Sequence, residues 1–253
     1  MMNSSLKQII RHTLVSTTVT EIILFLLLSI PVIVCAQVPE GKDAVLHVKR
    51  TSDFELTGDG SAKTWETAAW FPLVKRKGNA DYNTQAKLLY SATGVYGIFS
   101  CGDKKISATL KEDFADLYKE DVVEIFFWTE ESTPLYFEYE LSPLNYELAI
   151  LVPNFGGDFF GWKPWHYTGE RKTRHATKVI KDEKGSPTSW VAEFFIPYAL
   201  LKPLKNVPPK PGTEWRVNLY RIDYDDQAYS SWTWQPVQLN FHDFERYGTM
   251  KFE

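Results

Sequence analysis

Apolar and polar positions alternate with a period of two over much of the chain, and each such stretch is short. "AKLLYSATGVYGIFSC" (Ala86–Cys101) predicts two strands around a turn at Thr93-Gly94. "VVEIFFW" (Val122–Trp128), "LYFEYEL" (Leu135–Leu141) and "YELAILV" (Tyr146–Val152) predict three more. "SWVAEFFIP" (Ser189–Pro197), "EWRVNLYRID" (Glu214–Asp223), "YSSWTWQP" (Tyr229–Pro236) and "YGTMKF" (Tyr247–Phe252) complete the series. Glycine, proline and aspartate mark the breaks, as in "GDG", "EKGSP" and "PPKPG". Helical spacing is nearly absent; "YALLKPL" (Tyr198–Leu204) predicts one short turn, stopped by Pro203. Many short strands with turns between them predict an all-β, antiparallel, jelly-roll-like β-sandwich. One segment departs from the rhythm: Asn154–His175 is a long run of glycine, aromatic and polar residues. A loop of that length in a small domain is usually functional or disordered, and its aromatics argue against disorder.

The front of the chain has a different pattern. Lys7, Arg11 and His12 precede the apolar run Ile22–Cys35, and Val34-Cys35-Ala36 offers small or branched residues before Gln37. This is the layout of a secretory signal over residues 1–36. The run carries Pro31 and is short of the roughly 20 apolar residues of a membrane span. The expectation is therefore a secreted, periplasmic or cell-surface domain, 37–253, with no stable membrane span after cleavage; an uncleaved anchor and lipidation at Cys35 are the weaker alternatives.

Composition narrows the partners. Removing Lys7, Arg11 and Glu21 from the 28 basic and 32 acidic residues leaves 26 and 31, a mildly acidic balance with no basic stripe to meet phosphates. Nucleic acid is not expected as a partner. Cys101 alone remains after position 36, so no internal disulfide forms and the core must hold the fold. Aromatic residues make up 15%, with nine Trp. They serve equally as core and as platforms for sugar rings, so position has to decide between the two.

On a strand, residues two apart share a face. Val123, Ile125 and Phe127 form one apolar face of the Val122–Trp128 segment, while Val122, Glu124 and Phe126 form the other, with Tyr118 and Asp121 just before it. Glu124 on that face either accepts hydrogen bonds from a ligand or pairs with an arginine such as Arg221. Trp65, Trp70, Trp190 and Trp215 sit in strand-like apolar settings and are expected in the core. Trp162 and Trp165, among glycines in the long loop, are candidates for an exposed platform. Trp232 and Trp234 flank Thr233 and share one face.

The order of "GDGSAKTW" (Gly58–Trp65), "LLYSATGVYGIFSCGD" (Leu88–Asp103), "YKEDVVEIFFW" (Tyr118–Trp128), "WVAEFFIP" (Trp190–Pro197), "EWRVNLYRID" and "YGTMKF" resembles carbohydrate-binding module family 9. The resemblance runs from about Leu56 to Phe252. It implies a β-sandwich that binds plant-type polysaccharide or oligosaccharide without cleaving it and works beside glycoside hydrolases. In the family an aromatic pair clamps a sugar ring and polar side chains bond its hydroxyls. Carried onto this chain, the clamp is Tyr118 and Trp232, and the hydrogen-bonding groups are Glu124 and Asn218. Arg221, Trp234 and Trp162 are second-rank. Two departures stand out: the first clamp aromatic is Tyr rather than Trp, and Glu138 stands where members with a characterised sugar site carry a basic residue.

Two other classes compete. A glycan-cleaving hydrolase needs two carboxyl groups roughly 5–10 Å apart, and Glu138 and Glu140 on one strand face would stand about 6–7 Å apart. A scaffold of the same fold without a sugar site is the third reading. No cofactor is expected. Calcium has one opening, since "IDYDDQ" (Ile222–Gln227) and "GDG" carry oxygen ligands, though without the spacing of an EF-hand loop.

Overall fold

The computed structural model describes residues 40–155, 158–225 and 229–253. The expected signal segment over 1–36, with Cys35, lies outside the described residues, as do Asp226 and Gln227 of the aspartate-rich stretch. In chain order the strands are β1 (Val45–Arg50), β2 (Phe71–Pro72), β3 (Val74–Lys77), β4 (Thr84–Tyr90), β5 (Gly94–Gly102), β6 (Val122–Trp128), β7 (Leu135–Leu141), β8 (Glu147–Phe155), β9 (Asp158–Phe159), β10 (Lys163–Pro164), β11 (Arg174–Lys181), β12 (Pro187–Pro197), β13 (Glu214–Asp223), β14 (Ser230–Thr233) and β15 (Gly248–Phe252). The short helical turn expected after Pro197 is α1 (Tyr198–Leu201). Among the described residues no helix is long and apolar enough to cross a membrane.

The strands follow one hydrogen-bonded path, β10-β8-β7-β6-β13-β15-β1-β4-β5-β12-β11. The path turns from one layer to the other at β1: Val45–Val48 run beside β15, and Lys49–Arg50 run beside β4. Both of these pairings are parallel, whereas the other strand pairs are antiparallel, so β1 is the link that an all-antiparallel expectation leaves out. The result is an all-β sandwich with a front layer (β10-β8-β7-β6-β13-β15) and a back layer (β4-β5-β12-β11).

Alternation assigns three apolar layers. Val123, Ile125 and Phe127 of β6 meet Leu88, Phe99, Trp190 and Phe194 of the back layer in the central core. Each fully buried large side chain there contributes on the order of 1.5–3 kcal/mol. The segment around Phe54 and Trp65 covers the outside of the back layer, over Tyr96, Ile98 and Phe195. Its "GDG" turn is held by Glu193, which accepts from the Thr57 hydroxyl (3.0 Å), the Gly60 N–H (2.6 Å) and the Trp65 indole N–H (3.3 Å). Gly58 and Gly60 take φ values of +80° and +76° there, which side chains rarely adopt. The outside of the front layer carries Phe126, Tyr136, Leu148, Ile150 and Tyr220, and loops 110–118 and 237–247 pack over it. That third layer is only partly covered, and the opening is the candidate site.

Trp65, Trp190 and Trp215 are buried as expected, but Trp70 is 40% exposed, with the Lys87 ammonium 4.7 Å above its ring. Gly248 of the closing strand is required by packing: a Cβ there would lie 2.3 Å from the Trp234 ring.

Candidate functional site

The cleft in the front layer has a volume of about 320 Å³, at the low end of the range typical of small-molecule sites. Its floor comes from strand alternation. Glu124 of β6 lies directly opposite Glu140 of β7, Phe126 opposite Glu138, and Glu138 and Glu140 opposite Ile150 and Leu148 of β8. Period two therefore delivers three carboxyl groups and three apolar side chains to one face. Tyr118 and Trp162 form one wall, edge to face with ring centres 6.0 Å apart. Tyr229, Phe241 and His242 line the rest, with Arg76 and Lys77 at the rim.

The loop that brings Phe241 and His242 is held by its backbone carbonyls. Arg76 Nη2 donates to the Leu239 carbonyl (3.0 Å), the Tyr220 and Tyr247 hydroxyls to the Phe241 carbonyl (2.9 and 2.7 Å), and Asn154 Nδ2 to the His242 carbonyl (2.8 Å). His242 Nδ1 lies 2.6 Å from the Tyr136 hydroxyl, and its ring stacks on Phe126 at 5.7 Å. The wall is thus set before any ligand arrives, which lowers the ordering cost of binding.

The electrostatics of the floor are unusual for a folded interior. Glu124, Glu138 and Glu140 are 2%, 4% and 1% exposed. Burial raises all three well above the ordinary carboxyl value, and each is raised further by a neighbour: Glu124 by Glu140, Glu138 by Glu124, Glu140 by Glu138. Burial also pushes His242 down to about 4, so it is neutral near pH 7. Glu138 and Glu140 are close enough to hydrogen-bond each other when one holds a proton, and beyond that Glu138 Oε2 and Glu140 Oε2 meet no donor from another side chain or the backbone; His242 Nδ1 lies 3.9 Å from Glu138 Oε2. Most buried polar atoms in folded proteins are bonded, so two open carboxyl oxygens in a cleft mark a place for a donor from outside.

Of the residues expected at a site, Tyr118, Glu124 and Trp162 come together here. Trp162 is 43% exposed and serves as a wall; Trp165, its companion in the same loop, instead packs on the core and donates its indole N–H to the Leu200 carbonyl. Trp232 does not face Tyr118. It is 2% exposed in the central core, on the opposite side of the front layer from the cleft. Its ring packs 4.8 Å from the Arg221 guanidinium carbon and lies near-parallel to Tyr82. Trp234 shares that inward face, packing on Phe71 and Gly248. Alternation showed that the two tryptophans share a face; it did not show that the face points inward.

Asn218 and Arg221 are corrected in the same way. Asn218 points toward the cleft side but is fully buried beneath it, donating to the Gln235 carbonyl (3.0 Å) and the Tyr220 hydroxyl (2.8 Å) and accepting from the Gln235 N–H (2.9 Å). It secures the loop rather than lining the opening. Arg221 is buried in an ion network with Asp103 (3.1 Å) and Asp223 (2.6 Å), and its Nη1 donates to the Gly102 carbonyl (2.7 Å). The groups the sequence did not single out as binders are Phe241, His242 and Tyr229. Phe241 and His242 lie on a loop without periodicity, where only the aromatic content of "NFHDF" hints at them, and Tyr229 heads a segment expected as a strand.

Among the described residues the aspartates give calcium a single candidate place. Asp103, Asp121 and Asp225 bring one carboxylate oxygen each within 4.8 Å of one another, and these are the residues that would hold a divalent ion. Protein donors already serve the cluster: Arg221 on Asp103, the Ser107 and Tyr224 N–H groups on Asp121, and the Tyr82 hydroxyl on Asp225.

No protein-family model matches the chain, and no curated protein matches it. Among solved structures the fold is clearly matched. A Bacteroides uniformis protein assigned to carbohydrate binding superposes with a TM-score of 0.67 at 16% identity, over 84% of this chain and all of its own. A carbohydrate-binding module family 9 domain from Caldicellulosiruptor kristjanssonii, in complex with cellotriose, gives 0.60 at 15% identity, over 83% of this chain and 93% of its own. The same module with glucose gives 0.60 over 83% and 95%. The chain therefore has the family 9 type of β-sandwich fold, as its motif order implies.

Proposed function

We propose that this protein binds carbohydrate, without cleaving it, in the cleft floored by Glu124, Glu138 and Glu140 and walled by Tyr118 and Trp162. The observation that carries the reading is the pairing of open buried carboxyl oxygens with the exposed Trp162 and half-buried Tyr118 rings in one preformed cleft. Sugar rings have apolar C–H faces that pack on aromatic rings and hydroxyl edges that need directional acceptors, and this cleft supplies both. The solved structures of the same fold add support: one module was captured with cellotriose and with glucose. Secretion and a role beside glycoside hydrolases in polysaccharide breakdown belong to this proposal and rest on the apolar run at Ile22–Cys35 and the motif order.

The second reading, a hydrolase using Glu138 and Glu140, draws on both carboxyls being in the cleft. Acid and nucleophile roles need values pushed apart, one acid held low and one raised. Here burial and mutual repulsion raise all three. Titration calorimetry of the protein with soluble glucan, xylan and mannan fragments tests the proposal, alongside a reducing-sugar assay. Heat of binding without release of reducing ends is expected; release that disappears in E138Q would establish the hydrolase instead.

A further inference from the structure

The floor poses a problem that a neutral sugar does not fully solve. Three carboxyl groups from adjacent strands sit almost completely buried and face one another, and apart from the protons Glu138 and Glu140 can share, two of their oxygens meet no donor from the rest of the protein. Elsewhere the protein answers buried acids with its own cations or donors: Arg221 meets Asp103 and Asp223, and Glu193 accepts from Thr57, Gly60 and Trp65. In the cleft the two cationic side chains are at the rim and bind other groups, although Arg76 Nε has no hydrogen-bond partner. Arg76 holds the Leu239 carbonyl with its guanidinium 5.8 Å from the Phe241 ring centre, and the Lys77 ammonium sits 3.7 Å above Tyr229. The histidine beside Glu138 is kept neutral by burial.

We infer that the cleft is built for a sugar bearing a protonated amine, an amino sugar with its nitrogen free rather than acetylated, seated with the ammonium on Glu138 and Glu140. This deepens the carbohydrate reading and rests on it. A hydroxyl brings one donor and no charge, whereas an ammonium brings three donors and the opposite charge. Hydrogen bonds in which one group is ionised are roughly twice as strong as neutral ones, so an ammonium bonds these carboxyl groups strongly even while they hold their protons. An acidic sugar would put a negative charge beside three buried carboxyl groups and hold them in the protonated form, whereas an ammonium draws Glu138 and Glu140 toward the ionised form. Tyr118 and Trp162 add ring faces and edges beside the floor, a setting that tolerates cations well.

The test is calorimetry of the protein at neutral pH with four disaccharides: β-1,4-linked glucosamine, its di-N-acetyl form, cellobiose, and one ending in glucuronate. The glucosamine disaccharide is expected to bind about tenfold more tightly than cellobiose, with the acetylated and acidic sugars weaker still. In E138Q the ratio of glucosamine to cellobiose affinity should fall toward one; should E138Q fail to fold, E140Q gives the same reading. Cellobiose binding as tightly as glucosamine, or the glucuronate sugar binding best, overturns the amine preference and leaves the carbohydrate reading standing. No heat from any of the four removes both.

Discussion

Glu193 and Glu140 are both strand glutamates, both almost fully buried, and both on the outer face of a layer, yet their surroundings differ completely. Glu193 is surrounded by donors from the segment it pins, including two backbone N–H groups, a hydroxyl and an indole. Glu140 keeps an open oxygen over a cleft and faces two more acids. The Arg221 network at the other side of the front layer belongs with Glu193: its acids are met by a guanidinium and by backbone N–H groups. A buried acid saturated by the protein stabilises the fold, and a buried acid left open is held at a cost that a ligand can relieve.

The sharpest way to break this comparison is through stability, since the two kinds of acid should respond with opposite signs. Arg221→Met should be the most damaging change. It leaves Asp103 and Asp223 buried without their cation, and such losses cost about 3–5 kcal/mol. Urea denaturation should show the loss directly. An unchanged midpoint would mean that the network is not structural.

Glu138→Gln and Glu140→Gln should act the other way, raising stability by about 1 kcal/mol near pH 7.5 by removing an open acid from the interior. The pH dependence has a definite sign. The three glutamates hold their protons in the fold well above the 4.5 of an ordinary glutamate. Their contribution is fully present below pH 4.5 and is lost as pH rises through their folded values. His242 works in the opposite sense: its value drops from 6.5 to about 4 on folding, so its contribution is present above pH 6.5 and lost as pH falls toward 4. Melting curves of the wild type and E138Q should therefore diverge as pH rises from 4.5; parallel curves would remove the electrostatic account of the floor.

Trp162→Ala should be the mildest change for the fold and should still matter for binding. Its ring is 43% exposed, so stability should move by less than about 0.5 kcal/mol. Affinity for a bound sugar should fall by about tenfold through loss of the wall. Calorimetry on folded W162A checks both parts.

How much of this was legible in the sequence depended on the kind of signal. Period two predicted β6, β7, β8, β12 and β13 and divided β6 correctly into a core face and a face bearing Glu124. It paired Trp232 with Trp234 on one face. The family resemblance put Trp232 in a clamp, and periodicity, which cannot say which face is covered by the second layer, gave no sign that it is in the core. β1 escaped notice because "VLHVKR" is mostly exposed and lacks a clean apolar face. The cleft wall at Phe241 and His242 depends on long-range bonds from Tyr220, Tyr247 and Asn154 to loop carbonyls, which no local pattern encodes. Trp162 was reached by its place among glycines in a loop too long and too aromatic to be idle.

The contrast between Trp162 and Trp232 gives the most direct measurement of the central claim, that the ligand sits in the cleft of the front layer. Indole N–H resonances assigned by single Trp→Phe variants can be followed by NMR while the amino or neutral disaccharide is added. The Trp162 signal should shift in proportion to saturation while that of Trp232, buried beneath the sheet, stays in place. Movement of Trp232 with Trp162 unmoved, or saturation measured by calorimetry with neither moving, would contradict the account.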